Sequence, residues 1–362
     1  MKFLRPRPPL SAGVFLTYRC CCECRHCMYV CSPRWCDYWI DLAGLRVVLE
    51  KLVSCFRLYY PPEVFHRRRL LGLNYGLHLT GGEPFLRYDI LLRAVEVAKD
   101  VGVPGLFVET NCFWCTSREV VYERFRELYD RGLDGVLISV NPFVIEFVPF
   151  ERIDLAVEIA REVFGEGNVI VFYPIYYHQF KVLGVRGRLR FEDYLSLIGS
   201  DYGTYLSPDL ILPMGRAVYR LNYIYERYPA KYFFHENCLY DLTRPWHIHV
   251  DCFFNYVPGY CAGLSLGDAR RLEDILSGLD LDNYPILRAL TKGLGELYRF
   301  AVENYGYRER KDGYVSKCHL CLDIRLHIFQ EARDEFYELQ PREFYERLLE
   351  ELGMRIGAGG GI

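Results

Sequence analysis

What most constrains the fold of this chain is a repeated alternation of short apolar runs with segments of helical period. "SAGVFLTY" (11–18) reads as a strand and "WIDLAGLRVVLEKLVSCFRLYY" (39–60) as a helix. "GLHLT" (76–80) is a second strand, followed by the helix "YDILLRAVEVAKDVG", which ends at Gly102. "GLFVET" (105–110) is a third strand, and "SREVVYERFRELYDRG" a helix opened by a Ser117 cap. "GVLISV" (135–140) and "NVIVFYP" (168–174) continue the series with "RIDLAVEIAREVFG" between them, and "DLILPMG" (209–215) reads as a sixth strand. Such alternation predicts an α/β fold with a parallel sheet and outer helices, and six units suit a partial (β/α)6 barrel. Chemistry in these sheets gathers at the carboxyl ends of the strands. The marked stretches fall there: the cysteines of "TYRCCCECRHCMYVC" after the first strand, "GGEP" after the second, "TNCFW" after the third and "SVNPF" after the fourth.

The cysteine-rich stretch holds six cysteines in fifteen residues, and the chain holds 15 in all. At 362 residues and 51% hydrophobic, the protein can bury a large core and has no need of the disulfide staples of small secreted domains. The start "MKFLRPRPPLSAG" is broken by Pro6, Pro8 and Pro9, lacks the apolar run of a signal peptide, and no window has the length of a membrane span. The expectation is a cytoplasmic protein whose cysteines are reduced or on metal, with disulfide-rich thermophile proteins as the exception. Only eight of the 44 basic residues are Lys, and Gln occurs three times. Both facts suit a hot environment or a GC-rich genome and leave the chemistry open. The net charge of −3 gives no nucleic-acid footprint; "HRRRLLG" (66–72) is a small basic patch or a solvated face.

Cys20, Cys24 and Cys27 stand in C-x3-C-x2-C spacing on one loop. Structural zinc takes four ligands, usually as two pairs, whereas three thiolates can hold a four-iron cluster with one iron open. This spacing, with His26 just before the last cysteine, resembles the signature of the radical S-adenosylmethionine (SAM) enzymes. "LTGGEPFLR" (79–87) resembles that family's second motif; Gly81 and Gly82 permit a sharp turn and close approach, and Pro84 fixes the exit. The resemblance implies a 4Fe–4S cluster whose open iron chelates SAM, reductive cleavage to a 5′-deoxyadenosyl radical, oxygen sensitivity, and an electron donor such as a ferredoxin or flavodoxin. It further implies that Gly81, Gly82, Glu83 and Pro84 lie at the SAM amino group, and Ser139 and Asn141 at the ribose. Thr110 and Asn111 would lie near the carboxylate or ribose. Arg216 in "PMGRA" either pairs with the SAM carboxylate, as a guanidinium fork suits, or is a surface charge. Cys112 and Cys115 read as core packing or a thermophile pair.

The core is expected to span 1–216, with a cysteine-containing, mostly helical extension over 217–330 and a helix with a flexible glycine tail over 331–362. "YRLNYIYERY" reads as its first helix. Cys238, Cys252, Cys261, Cys318 and Cys321, with His235, His247, His249 and His319, suffice for one further metal site. The arrangement resembles the auxiliary-cluster (twitch or SPASM) extensions of peptide- and cofactor-modifying members, without the full seven-cysteine pattern, so at most one second cluster is implied. A structural zinc site and unligated cysteines compete with it. No residue stands out as catalytic: Asp251 or His249 as a proton donor or acceptor competes with a buried structural role, and Phe143 and Tyr173 read as barrel lining. The resemblance favours a peptide or cofactor precursor as substrate; no membrane partner is expected, and a tRNA-modifying role would need a basic face, of which the chain offers only the 66–69 run. Alternatives are an activating enzyme acting on a partner protein, or a non-catalytic iron–sulfur or zinc protein.

Overall fold

The computed structural model describes residues 1–66, 71–333 and 335–354. Most of the basic run (67–69) and the glycine tail (355–362) lie outside the described residues. The main sheet has seven strands: β1 (Ser11–Thr17), β2 (Gly76–Gly81), β3 (Leu106–Thr110), β4 (Gly135–Ser139), β5 (Val169–Phe172), β6 (His247–Val250) and β7 (Tyr256–Pro258). Their order is β5-β4-β3-β2-β1-β6-β7, parallel throughout except for the β6–β7 pair. All seven residues of β1 are buried, as a central parallel strand covered on both faces requires.

The first five strands fall where the apolar runs placed them, and so do the helices between them: α1 (Leu42–Phe56), α2 (Tyr88–Val101), α3 (Arg118–Asp130) and α4 (Phe150–Phe164). The Ser117 side chain accepts from the Val120 amide and opens α3, while Gly102, at φ 85°, ends α2 in the left-handed conformation. Beyond them lie α5 (Pro174–Val182), α6 (Phe191–Ile198), α7 (Pro285–Lys292), α8 (Leu294–Tyr305), α9 (Lys317–Glu331) and α10 (Arg342–Glu351).

Two expectations change. Residues 209–215 form turns, because Pro208 and Pro213 bracket the apolar run and remove ladder donors. The sixth parallel strand is instead β6, on the far side of β1, so the segment read as a separate extension supplies two strands of the main sheet. "YRLNYIYERY" is not a continuous helix either. A four-residue helical turn at Ala217–Arg220 gives way to a 3-10 turn at Asn222–Ile224, consistent with a run of aromatic, β-branched and Asn residues that are weak helix formers.

Candidate functional site

A cavity of about 250 Å³ opens at the carboxyl ends of the parallel strands. Cys20, Cys24, Cys27 and His26 line it from the loop after β1, Gly81, Gly82 and Glu83 from the turn after β2, and Thr110 and Asn111 from the end of β3. Ser139 and Asn141 follow from β4, with Phe172 and Tyr173 from β5 and His249 from β6. One cavity bounded by strands from β5 round to β6 is what a curled, open barrel provides.

The cysteine loop and the GGEP turn are joined through backbone. The Gly82 amide donates to Thr17 O (2.8 Å) and the Glu83 amide to Arg19 O (3.0 Å). A Cβ at Gly82 would overlap the Arg19 carbonyl, and one at Gly81, whose φ is 120°, would overlap that of Thr17. The glycines are therefore required by the chain crossing beneath the turn. An ammonium group only donates, so any backbone contact from this turn to one falls to carbonyls.

Glu83 is 1% exposed. Its carboxyl accepts from Thr110 Oγ1 (2.9 Å), the Asn111 amide (2.8 Å) and the Phe85 amide (3.2 Å), tying the turn after β2 to the end of β3. Burial pushes its pKa up to about 8. The folded protein therefore holds this proton more tightly than an unfolded chain, whose Glu titrates near 4.3. That contribution to stability is complete below about pH 4.3 and is lost as pH rises to about 8, by on the order of a few kcal/mol. In metal-free protein, Glu83→Gln is expected to flatten the fall in denaturant midpoint between those pH values. An unchanged slope would show that Glu83 does not carry it.

Thr110 also accepts from the Cys112 amide and Trp114 Nε1, so its hydroxyl is committed to the strand end. Asn111 Nδ2 faces sulfur, at 3.6, 3.4 and 3.3 Å from Cys20, Cys21 and Cys22. Asn141 Oδ1 accepts from the Phe143 and Val144 amides, and its Nδ2 meets His26 Nε2 at 3.2 Å. His26 stacks on Phe143 (ring centroids 5.0 Å apart), and its Nδ1 is buried without a partner among the described residues. Burial lowers the His26 pKa to about 4, so the ring is neutral at neutral pH.

Arg216 is not the surface charge that one of its two readings expected. It is neither on the surface nor on the cavity wall: it is 1% exposed and forked onto Glu351 of α10, Nε and Nη2 each 2.7 Å from a carboxylate oxygen. The same guanidinium donates to Cys24 O (2.8 Å) and Cys31 O (3.0 Å), and the Arg216 amide to Cys27 O (3.0 Å). It clamps the backbone of the cysteine loop.

Ligand atoms of Cys20, Cys21 and Cys22 lie within 4.8 Å of one another, whereas Cys24 and Cys27 stand outside that group while facing the same cavity. Zn–S bonds of about 2.3 Å put tetrahedral thiolates about 3.8 Å apart, and a multi-iron cluster spreads its ligands wider. The Cys20, Cys24 and Cys27 set around an open cavity fits a cluster better than a single ion. A hydrogen bond from Cys31 lowers the Cys27 pKa to about 6, favouring the thiolate that ligation needs.

Four of the five C-terminal cysteines meet at a second, smaller cavity of about 50 Å³: Cys238, Cys261, Cys318 and Cys321, beside Lys317 and Arg325. Cys252 is not among them and stands beside Asp251, which presses its thiol pKa further upward after burial. Among the histidines, His319 is buried against Tyr219 and Tyr314, and His235 is exposed. Asp251 accepts from Tyr18 Oη and from Phe253 and Asn255, a turn-closing role. Cys112 and Cys115 are fully buried free thiols. His78 and Glu109 also line the main cavity, and neither was singled out by motif. Their one signal was polarity inside otherwise apolar strands.

No protein-family model matches the chain, and no curated protein matches it. Solved structures similar to it include BtrN in complex with AdoMet and 2-DOIA (14% identity, 80% of this chain and 89% of that one, TM-score 0.42). Native anSMEcpe with bound AdoMet shares 12% identity over 89% of this chain and 97% of that one (TM-score 0.41). Streptococcus suis SuiB bound to S-adenosylmethionine shares 11% over 86% of this chain and 77% of that one (TM-score 0.33).

Proposed function

We propose that this protein is a radical SAM enzyme. One observation carries the reading: the C-x3-C-x2-C loop and the GGEP turn, distant in the chain, are hydrogen-bonded to each other at the strand ends and face one cavity. Cys20, Cys24 and Cys27 would hold a 4Fe–4S cluster, which supplies the electron that cleaves SAM. The protein's part is placement. Arg216 and the Gly82–Thr17 bond fix the loop, Glu83 fixes the turn against Thr110 and Asn111, and Asn141 holds His26 on Phe143. Gly81, Gly82, Ser139 and Asn141 are the groups we assign to SAM.

Cys238, Cys261, Cys318 and Cys321 are the ligands we assign to an auxiliary cluster, with Cys252 left out because it lies elsewhere. Such a cluster favours a peptide or cofactor precursor as substrate, and a small ferredoxin or flavodoxin as electron donor. The cavity wall formed by Phe172, Tyr173, Leu210, Leu212 and Tyr260 suits an aliphatic or aromatic group of that substrate. Among the described residues no helix is long and apolar enough to cross a membrane.

The test is anaerobic reconstitution followed by SAM and a strong reductant. Wild-type protein is expected to release 5′-deoxyadenosine, and Cys24→Ala to release none. Wild-type protein that carries a full cluster yet leaves SAM intact would favour a non-catalytic iron–sulfur protein.

A further inference from the structure

Three histidines meet on the inner face of the sheet, two of which, His78 and His249, line the main cavity. Across the three adjacent strands β2, β1 and β6, the register puts His78 beside Gly13 and Gly13 beside His249, with Ser11 and His247 paired two residues earlier. Side chains two apart on a strand share a face, so His78, His247 and His249 point the same way. One ring nitrogen of each lies within 4.8 Å of the other two. Their exposures are 5%, 2% and 4%.

Gly13 makes the room. A Cβ there would overlap His78 Nε2 and crowd the His249 ring. Packing alone would fill a central strand with a branched apolar residue, as Val14 and Leu16 do on the other face. Three imidazoles in that place carry polar atoms that a core must satisfy. Both ring nitrogens of His78 and Nε2 of His247 have no hydrogen-bond partner among the described residues. Two of the other nitrogens are supported from outside: His247 Nδ1 meets Ser11 Oγ at 2.9 Å, and His249 Nδ1 donates to Gly259 O at 2.8 Å with Tyr29 Oη 3.1 Å away. An outer hydrogen bond of this kind orients a metal-binding imidazole and leaves its other lone pair free. Glu109 Oε1 stands 3.6 Å from His78 Nδ1, and its other oxygen accepts from Thr80.

We propose that His78, His247 and His249 form a site for a divalent transition-metal ion, with an open position facing the cavity beside Glu109. Three imidazoles and one open position make a set that suits zinc and its first-row neighbours. An ion there would take an oxygen or nitrogen of a molecule in the cavity as its fourth ligand. The proposal is independent of the SAM reading, since it uses none of the cysteines.

The test uses Zn2+ as the probe on the full chain. Crystals equilibrated with zinc and measured at its absorption edge are expected to show an anomalous peak about 2.0–2.1 Å from one nitrogen of each histidine. Zinc on cysteines elsewhere would not interfere, because the peak is read by position. In equilibrium dialysis of reconstituted protein, His247→Gln is expected to bind about one ion fewer than wild type. Ser11→Ala is expected to weaken that site about 10–100-fold with iron content unchanged. A crystal with zinc bound elsewhere and none among the histidines would overturn the proposal, whether or not the variants fold. So would equal zinc stoichiometry in folded wild type and His247→Gln.

Discussion

Arg216→Met is expected to destabilise the metal-free protein by about 3–5 kcal/mol, the cost of removing one partner of a buried ion pair, since Arg34, 3.6 Å from Glu351 and 46% exposed, compensates only in part. The side chains of Arg216 and Glu351 are 1% and 2% exposed, so little solvent screens the pair or rehydrates the survivor. The loss is local as well as global, because Cys24 O and Cys31 O lose their donor when the guanidinium goes. A double variant separates these effects. Arg216→Met with Glu351→Met replaces the pair by apolar groups, a change that is often close to neutral in stability. We expect it to recover most of the lost denaturant midpoint while still retaining iron poorly, since the loop remains unclamped. Wild-type stability in the single variant would refute the buried-pair account. Full iron retention in the double variant would refute the clamp.

The same residue marks the boundary of what was legible in the sequence. Local chemistry was readable: apolar runs gave five strands, Ser117 gave a cap, Gly102 a helix end, and the marked stretches fell at strand ends. What failed were inferences that depend on partners far along the chain. Glu351 lies 135 residues from Arg216, and no periodicity links them. The run 209–215 is apolar enough for a strand, but its flanking prolines outweigh its composition. Strand β6, "HIHV", has the alternation of a strand, yet its inward face is polar, so it read as part of a turn-rich, metal-binding segment. That polarity is intelligible once Gly13 and His78 are seen across from it. Glu83, read as a cofactor contact because of its motif, spends its carboxyl on Thr110 and two amides.

Anaerobically reconstituted protein is expected to hold about eight irons per chain, two clusters of four. The Cys20→Ala, Cys24→Ala, Cys27→Ala variant should keep about four, and so should a variant lacking Cys238, Cys261, Cys318 and Cys321. The second arm rests on geometry. Among the described residues, no three of those four sulfurs form a group within 4.8 Å, although a preformed zinc site would hold its thiolates about 3.8 Å apart. They surround a void instead, where a well-packed core would leave none. Burial pushes the Cys261 thiol up to about 11 and the Cys318 thiol up to about 12, so without metal they are protonated. Ligation must displace those protons, and Lys317 and Arg325 beside the void supply positive charge for the thiolates that result. Proton release on loading should therefore accompany iron uptake at this site. If the N-terminal variant loses all its iron and keeps one zinc, the quartet has closed around a single ion and the extension is structural. The substrate would then have to be sought from the main cavity alone, and a peptide or cofactor precursor would lose its support.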